Sequence, residues 1–409
     1  MYNIAIALYA FIVRLVSPFN KKAKKMLAGQ KKTFNLLEKK INKTDSYIWF
    51  HASSLGEFEQ GRPLMEMIKK EKREYKILLT FFSPSGYEVQ KNYTYADLVC
   101  YLPFDFPRNA AKFLNFVNPA IAIFIKYEFW MNYLSQLKKR EIPAYIISAI
   151  FRSNQIFFRR YGKSYRKVLH NFKWFFLQDD NSKELLKTLN INDNITISGD
   201  TRFDRVDEIC QQHKNLPVVD TFLNNNDANK VVLVAGSTWT KDEDIIISYF
   251  NQTPEIKLII APHVISDEHI GEITSKMKRP FVLYSKSCEK DIQEADCLII
   301  DCFGLLSFIY RYGKIAYVGG GFGAGIHNIL EAAVYSVPVI FGPNYQKFKE
   351  AKELIASCGA VSISNEDEFT CRMNEYLSYS SLLKESGENA NRYVKQNLGA
   401  TRKIYDKIF

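Results

Sequence analysis

A series of short, unbroken apolar runs constrains this chain more than any other feature. The first half carries YIWFHA (47–52), YKILLTFF (75–82), DLVCYLPF (97–104), IAIFIKYE (121–128), IPAYIISA (142–149), KWFFLQ (173–178) and ITISGD (195–200). The second half carries VVLVAGS (231–237), IKLIIAP (256–262), PFVLYS (280–285), CLIID (297–301), IAYVGG (315–320) and VPVIFGP (337–343). Runs that do not alternate suit strands buried on both faces, which means parallel sheets under helices. Helical stretches at 59–73, 108–117, 129–139 and 181–188 fall between them. The pattern predicts an α/β protein of two Rossmann-like domains facing a cleft. In such sheets ligands sit outside the carboxyl ends of the strands.

The polar stretch RVDEICQQHKNLPVVDTFLNNNDANK places a linker at 206–229. That predicts a segment at 1–45, a first domain at 46–205 and a second at 230–409. The final helix, 381–407, is expected to pack back across the domains.

With 409 residues, 47% of them hydrophobic, the chain can bury two cores. Its 7 cysteines show no C-x-x-C pair, so neither a disulfide framework nor a structural metal is expected, and the compartment reads as reducing. The net charge of +11 is crowded into two patches, Arg14–Lys43 and Arg152–Lys173. Such patches attract phosphates of any kind. The segment YNIAIALYAFIVRLVSPF (2–19) selects among them. It is short for a full span and carries Arg14 inside it, and its basic residues follow the apolar run, unlike a secretory signal. An amphipathic helix entering lipid, with the following lysines on anionic headgroups, fits better than a core helix. A nucleic-acid binder has no use for such an anchor.

The polar residues cluster at predicted strand ends. Glu57 follows the small-residue turn of WFHASSLGE (49–57). A helix N-terminus keeps a carboxylate there ionised, which suits a general base. Taken alone, a first-turn acid stabilising its helix is the stronger reading. Ser54 and Gly56 share this turn. Ser83 and Ser85 form a second serine turn, Glu128 ends a strand among aromatics, and Arg152 and Arg159 follow another.

In the second half, GGGFGAGIHNILEAA (319–333) follows a strand and is read as a glycine loop opening a helix. Gly320, Gly321, Gly323 and Gly325 would bring backbone N–H groups to an anion. His327 and Glu331, four apart, would share one helix face, with Asn328 beside them. The late position and the missing acidic residue discount NAD and FAD, and no GK[ST] loop is present. Ser237 and Thr238 in AGSTWTKDE either cap a helix or complete the cradle. His263 stands at another strand end in APHVISDEH.

Together these segments resemble the 3-deoxy-D-manno-octulosonic acid (Kdo) transferase family. WFHASSLGE, FSPSGYE, YLPFDFP, KYEFWMN, SGDTRFDR, AGSTWTKDE and GGGFGAGIHNILEAA match in order and spacing over nearly the whole chain. The resemblance implies a GT-B glycosyltransferase with no required metal or cofactor. It would transfer Kdo from CMP-Kdo, with inversion, to a phosphorylated lipid A precursor at the cytoplasmic face of the Gram-negative inner membrane. Glu57 matches the family's catalytic base. Ser54, Gly56, Ser83, Ser85, Glu128, Arg152 and Arg159 would serve the acceptor. Ser237, Thr238, His263, the loop glycines, Asn328 and Glu331 would serve the donor. Two departures stand out: Pro262 replaces the usual arginine before His263, and Arg202 stands where lysine is more usual. The alternatives are a GT-B transferase using another nucleotide sugar, and a non-catalytic basic membrane module.

Overall fold

The computed structural model describes residues 2–212, 214–224, 230–286 and 288–409. The chain divides into two compact units, Met1–Arg205 with Leu398–Phe409, and Val206–Asn397. Part of the stretch read as a linker, 213 and 225–229, lies outside the described residues. The rest carries the end of helix Arg202–Gln211 and a second helix, Pro217–Leu223.

The first unit holds β1 (Ser46–Ala52), β2 (Tyr75–Phe81), β3 (Leu98–Tyr101), β4 (Ile121–Ile125), β5 (Ala144–Ala149), β6 (Trp174–Leu177) and β7 (Ile195–Ile197). All pairings are parallel, in the order β3-β2-β1-β4-β5-β6-β7. Alternate residues of each strand feed cores on opposite sheet faces. Trp49, Leu78, Ala122 and Phe124 enter one. Ile48, Phe50, Leu79 and Ile123 enter the other. Both faces are dry, so the runs are unbroken. Helix α1 spans Tyr2–Val16, α2 Lys21–Lys40 and α3 Leu55–Glu71. Phe58, Leu64, Met65 and Ile68 pin α3 to the second core. Gly61 lets it sit close, because a Cβ there would meet Ile125 Cδ1 at 2.2 Å.

α1 is apolar on both its buried and its exposed side. Ala10 and Val13 pack with Met26, Phe82, Tyr101 and Phe104. Ile4, Leu8, Phe11, Ile12 and Leu15 are exposed, and Phe19 just beyond is 92% exposed. The Tyr2 hydroxyl donates to Asp105 Oδ2 at 2.5 Å, and Asp105 also accepts the Asn132 and Tyr133 N–H groups, which ties α1 to the domain. Among the described residues no single helix is long and apolar enough to cross a membrane. α1 and α2 pass that test only as a pair bent by 118°.

The second unit holds β8 (Val231–Thr238), β9 (Ile256–Pro262), β10 (Phe281–Leu283), β11 (Cys297–Ile299), β12 (Ile315–Val318), β13 (Val339–Phe341) and β14 (Ala360–Ser362). They run parallel in the order β10-β11-β9-β8-β12-β13-β14. Two such units give the two-domain α/β architecture of the GT-B class.

Several local expectations need correction. β14 has no apolar run long enough to announce it. The expected final helix is two, Ser380–Gln396 and Ala400–Ile408, broken where Gly399 takes φ +99°. The second of these belongs to the first unit, where Ile404 and Tyr405 enter the core beside α3. The helix expected after the glycine loop covers only Leu330–Ala333. His327 lies outside it, because its N–H donates to Gly319 O at 3.1 Å and folds the chain back.

Candidate active site

Each sheet has a switch point where the strand order reverses, and helices leave to opposite faces there. In the first unit it lies between β1 and β4. After β1 come the turn Ser53–Ser54 and the first turn of α3 with Gly56 and Glu57; after β4 come Lys126 and Glu128.

Glu57 is in the first turn of α3. Its Oε2 accepts the Ser53 N–H at 2.5 Å. Its carboxyl is pushed up to about 8, first by burial and then by the Glu128 carboxylate; the Ser53 N–H, Lys126 and the Ser54 N–H pull the other way. The expectation that the helix terminus keeps it ionised is therefore corrected: loss of water outweighs the helix dipole. Glu128 is nearly buried and held by two donors. His51 Nε2 lies 3.1 Å from its Oε2, and the Trp130 indole donates to the same oxygen. His51 Nδ1 lies 2.8 Å from Thr80 Oγ1, which also accepts from Trp49 Nε1 at 2.8 Å. Lys126 takes φ +67°, a backbone state that non-glycine residues adopt at an energetic cost. That turn ends β4 three residues earlier than its apolar run suggests.

The other first-unit residues divide. Ser54 is the N-cap of α3 but its hydroxyl makes no capping bond. A Cβ on Gly56 would meet nothing within 4 Å, so the fold does not require glycine there. Helix α4 is Pro84–Gln90. Ser83 and Ser85 bond each other at 3.0 Å, and Ser83 caps α4, while Ser83 N–H donates to Ser53 O at 2.8 Å and joins the two turns. Arg152 and Arg159 are exposed; the Arg152 guanidinium sits 5.8 Å from the Tyr127 ring centre. His51, Thr80 and Trp130 escaped the sequence reading. A histidine inside YIWFHA was the available signal, since a polar group in a dry strand needs partners.

In the second unit the switch point lies between β8 and β12. Ser237 takes φ +53° at an irregularity of β8, and its side chain caps no helix. Trp239 is the cap residue of helix Thr240–Gln252, its N–H donating to Asp242 Oδ2 at 2.9 Å. Thr238 is fully buried and its hydroxyl donates to Glu243 at 3.0 Å. The turn thus places Ser237, not Thr238, where a ligand can reach.

The glycine loop is tighter than an open phosphate cradle. The Gly320 N–H donates to Asp242, the Gly323 and Gly325 N–H groups to Gly320 O. Three of the loop N–H groups, on Gly320, Gly323 and Gly325, are therefore already paired in the unliganded protein. Gly321 answers to close packing: a Cβ there would meet Gly342 backbone at 2.6 Å. Asn328 Nδ2 donates to Glu331 Oε1 at 2.9 Å. His263, at the end of β9, stacks on Trp239 at 4.6 Å and on His327 at 4.5 Å between ring centres. His327 is held down to about 4 by burial and by His263. Among the described residues no group of three or more His, Cys, Asp or Glu could hold a metal ion.

Residues 28–205 match the family model described as 3-deoxy-D-manno-octulosonic-acid transferase (kdotransferase). A 3-deoxy-D-manno-octulosonic acid transferase of Aquifex aeolicus is 30% identical over 85% of this chain and 90% of that protein. One from Haemophilus influenzae is 27% identical over 88% of this chain and 86% of that protein. In fold the chain is similar to UDP-GlcNAc 2-epimerase from Neisseria meningitidis bound to UDP-GlcNAc, with a TM-score of 0.63 at 13% identity over 88% of this chain and 99% of that one. The strand-end chemistry, the two switch points and the extent of these matches converge: the chain belongs to the 3-deoxy-D-manno-octulosonic acid transferase family, and is a glycosyltransferase of GT-B architecture.

Proposed function

We propose that the chain transfers Kdo from CMP-Kdo to a hydroxyl of a phosphorylated lipid A precursor, inverting the anomeric centre. Glu57 is the general base. As the acceptor oxygen bonds to the anomeric carbon, its proton passes to the Glu57 carboxylate. The bond from that carbon to the CMP phosphate oxygen breaks, and its electron pair leaves with CMP. The observation that carries this reading is Glu57 itself: a carboxyl beside Glu128, largely out of water and pushed up to about 8. A base is most effective when its pKa lies near the working pH, and general-base help is worth roughly 10²–10⁴-fold.

Ser54 and Gly56 leave room beside Glu57 for the acceptor, Ser83, Ser85 and Glu128 line the adjoining turns, and Arg152 and Arg159 offer cations to its phosphates. Ser237, His263, Asn328 and Glu331 serve the donor. Thr238, buried against Glu243, supports that site from beneath, and Gly320, Gly321, Gly323 and Gly325 form the loop beside it. The exposed apolar face of α1, followed by the lysines of α2, rests on anionic lipid at the cytoplasmic face of the inner membrane.

The test is Kdo transfer from CMP-Kdo to tetraacyl lipid A precursor by the wild type and Glu57→Gln, side by side. Wild-type product with a loss of at least about 10²-fold in the variant is expected. Equal turnover in both would remove Glu57 from the mechanism. A folded wild type inactive with CMP-Kdo but active with another nucleotide sugar would reassign the donor.

A further inference from the structure

Trp239 was singled out neither by its motif nor by a charge, yet it is 44% exposed at the β8 switch point, where a large aromatic needs a reason to be. Its indole Nε1 donates to His327 Nε2 at 3.2 Å. An indole nitrogen is only ever a donor, so His327 Nε2 must be the bare nitrogen of the ring. In a neutral imidazole the proton then sits on Nδ1. Burial and the neighbouring His263 keep the ring neutral.

The rest of the turn is arranged around this bond. His263 lies across both rings, tilted 24° to Trp239 and 27° to His327. The His327 ring also rests on Gly320, where a Cβ would stand 2.9 Å from its Cδ2. The buried Asp242 carboxylate accepts the Trp239 N–H at 2.9 Å and the Gly320 N–H at 2.9 Å, and the Tyr317 hydroxyl at 2.7 Å. One carboxylate therefore positions the backbone of Trp239 and the glycine against which His327 packs. Among the described residues His327 Nδ1 has no hydrogen-bond partner, whereas Nε2 does.

We propose that Trp239 is a positioning residue that locks His327 in its Nδ1–H tautomer, so that the imidazole offers a directed hydrogen bond to an anionic oxygen of the nucleotide-sugar donor. The tautomer lock is a property of the unliganded protein; its use on the donor rests on the function proposed above. A ring free to exchange tautomers would present a donor part of the time and a lone pair, repelling an anion, for the remainder. The indole removes the second state. His263 contributes by stacking, which fixes the plane of both rings rather than their protons.

The experiment is ¹⁵N–¹H correlation spectroscopy of the full chain with ¹⁵N-histidine, His327 being assigned from the signal lost in His327→Gln. Without ligand, a protonated Nδ1 and an unprotonated Nε2 are expected in the wild type. Trp239→Phe, which keeps an aromatic ring for His263 to stack on, should show mixed tautomers and bind CMP about tenfold more weakly, the upper end for one neutral hydrogen bond. His327 carrying its proton on Nε2 in the wild type, or an unchanged pattern in Trp239→Phe, overturns the lock. CMP titrated into the wild type should move the Nδ1–H resonance. Saturable CMP binding, measured by calorimetry, without that movement overturns the contact between His327 and the donor. A locked tautomer in a protein that does not bind CMP upholds the lock and counts against the proposed donor instead.

Discussion

Replacing Glu57 by glutamine should make the protein more stable and less active at once. The carboxyl rises from an ordinary value of 4.5 to about 8 in the folded chain. Each pH unit of such a shift is worth about 1.4 kcal/mol. The folded state therefore holds a proton between pH 4.5 and 8 that the unfolded chain has released, so stability falls as pH rises through that window. The deficit is about 1 kcal/mol at pH 5, about 3 kcal/mol at pH 7 and about 5 kcal/mol above pH 9. Glutamine carries no charge and escapes it, losing only part of the bond to the Ser53 N–H, about 1 kcal/mol. Urea unfolding of both proteins at pH 5, 7 and 9 reads the difference through tryptophan fluorescence; Trp49, Trp130 and Trp174 report on the first unit. The variant should gain about 2 kcal/mol at pH 7, and the gain should grow with pH. A gain that is flat with pH, or a loss at pH 9, would refute the claim that burial and Glu128 hold this carboxyl up.

Turnover at low acceptor concentration should rise with pH and level off near pH 8, following ionisation of Glu57; a kcat/KM profile already level from pH 5 would contradict this. Phe11→Asp, at an exposed site on α1, should weaken binding to anionic vesicles by at least about tenfold, since burying one large apolar side chain is worth about 1.5–3 kcal/mol; unchanged cosedimentation would remove the α1 face from the membrane contact. Gly321→Ala should destabilise by about 1–3 kcal/mol, because its Cβ has backbone 2.6 Å away, and thermal unfolding measures it.

The architecture was legible because a strand buried on both faces cannot hide: YIWFHA, IAIFIKYE and VVLVAGS have no alternation to confuse with a half-exposed sheet. Strand ends were less legible. β4 stops at Ile125 because Lys126 turns to positive φ, and nothing in the lysine itself announces that. The position of Glu57 could be read from its turn, but not its protonation. That depends on Glu128, 71 positions away in sequence and adjacent only through the pairing of β1 with β4. The packing of the glycine loop was illegible for a related reason. A glycine that clears an anion and a glycine that clears another backbone look alike, and Gly321 against Gly342 is the second kind. Trp239 and His327 stand 88 positions apart, and only the neighbouring places of β8 and β12 bring them together.

The return of Leu398–Phe409 to the first unit makes the second unit an insertion within it. Asp204 accepts the Gly399 and Thr401 N–H groups and the Thr401 hydroxyl, so the closing segment is latched as well as packed. On the ribosome this inverts the usual order of maturation. The first unit is made first yet lacks the helix that covers Ile68 and its neighbours in the core until the last residues emerge. At about 5–20 residues per second, some 10–40 s separate Arg205 from that helix. During that interval the second unit can close on itself, while the nascent first unit carries an apolar face without its cover.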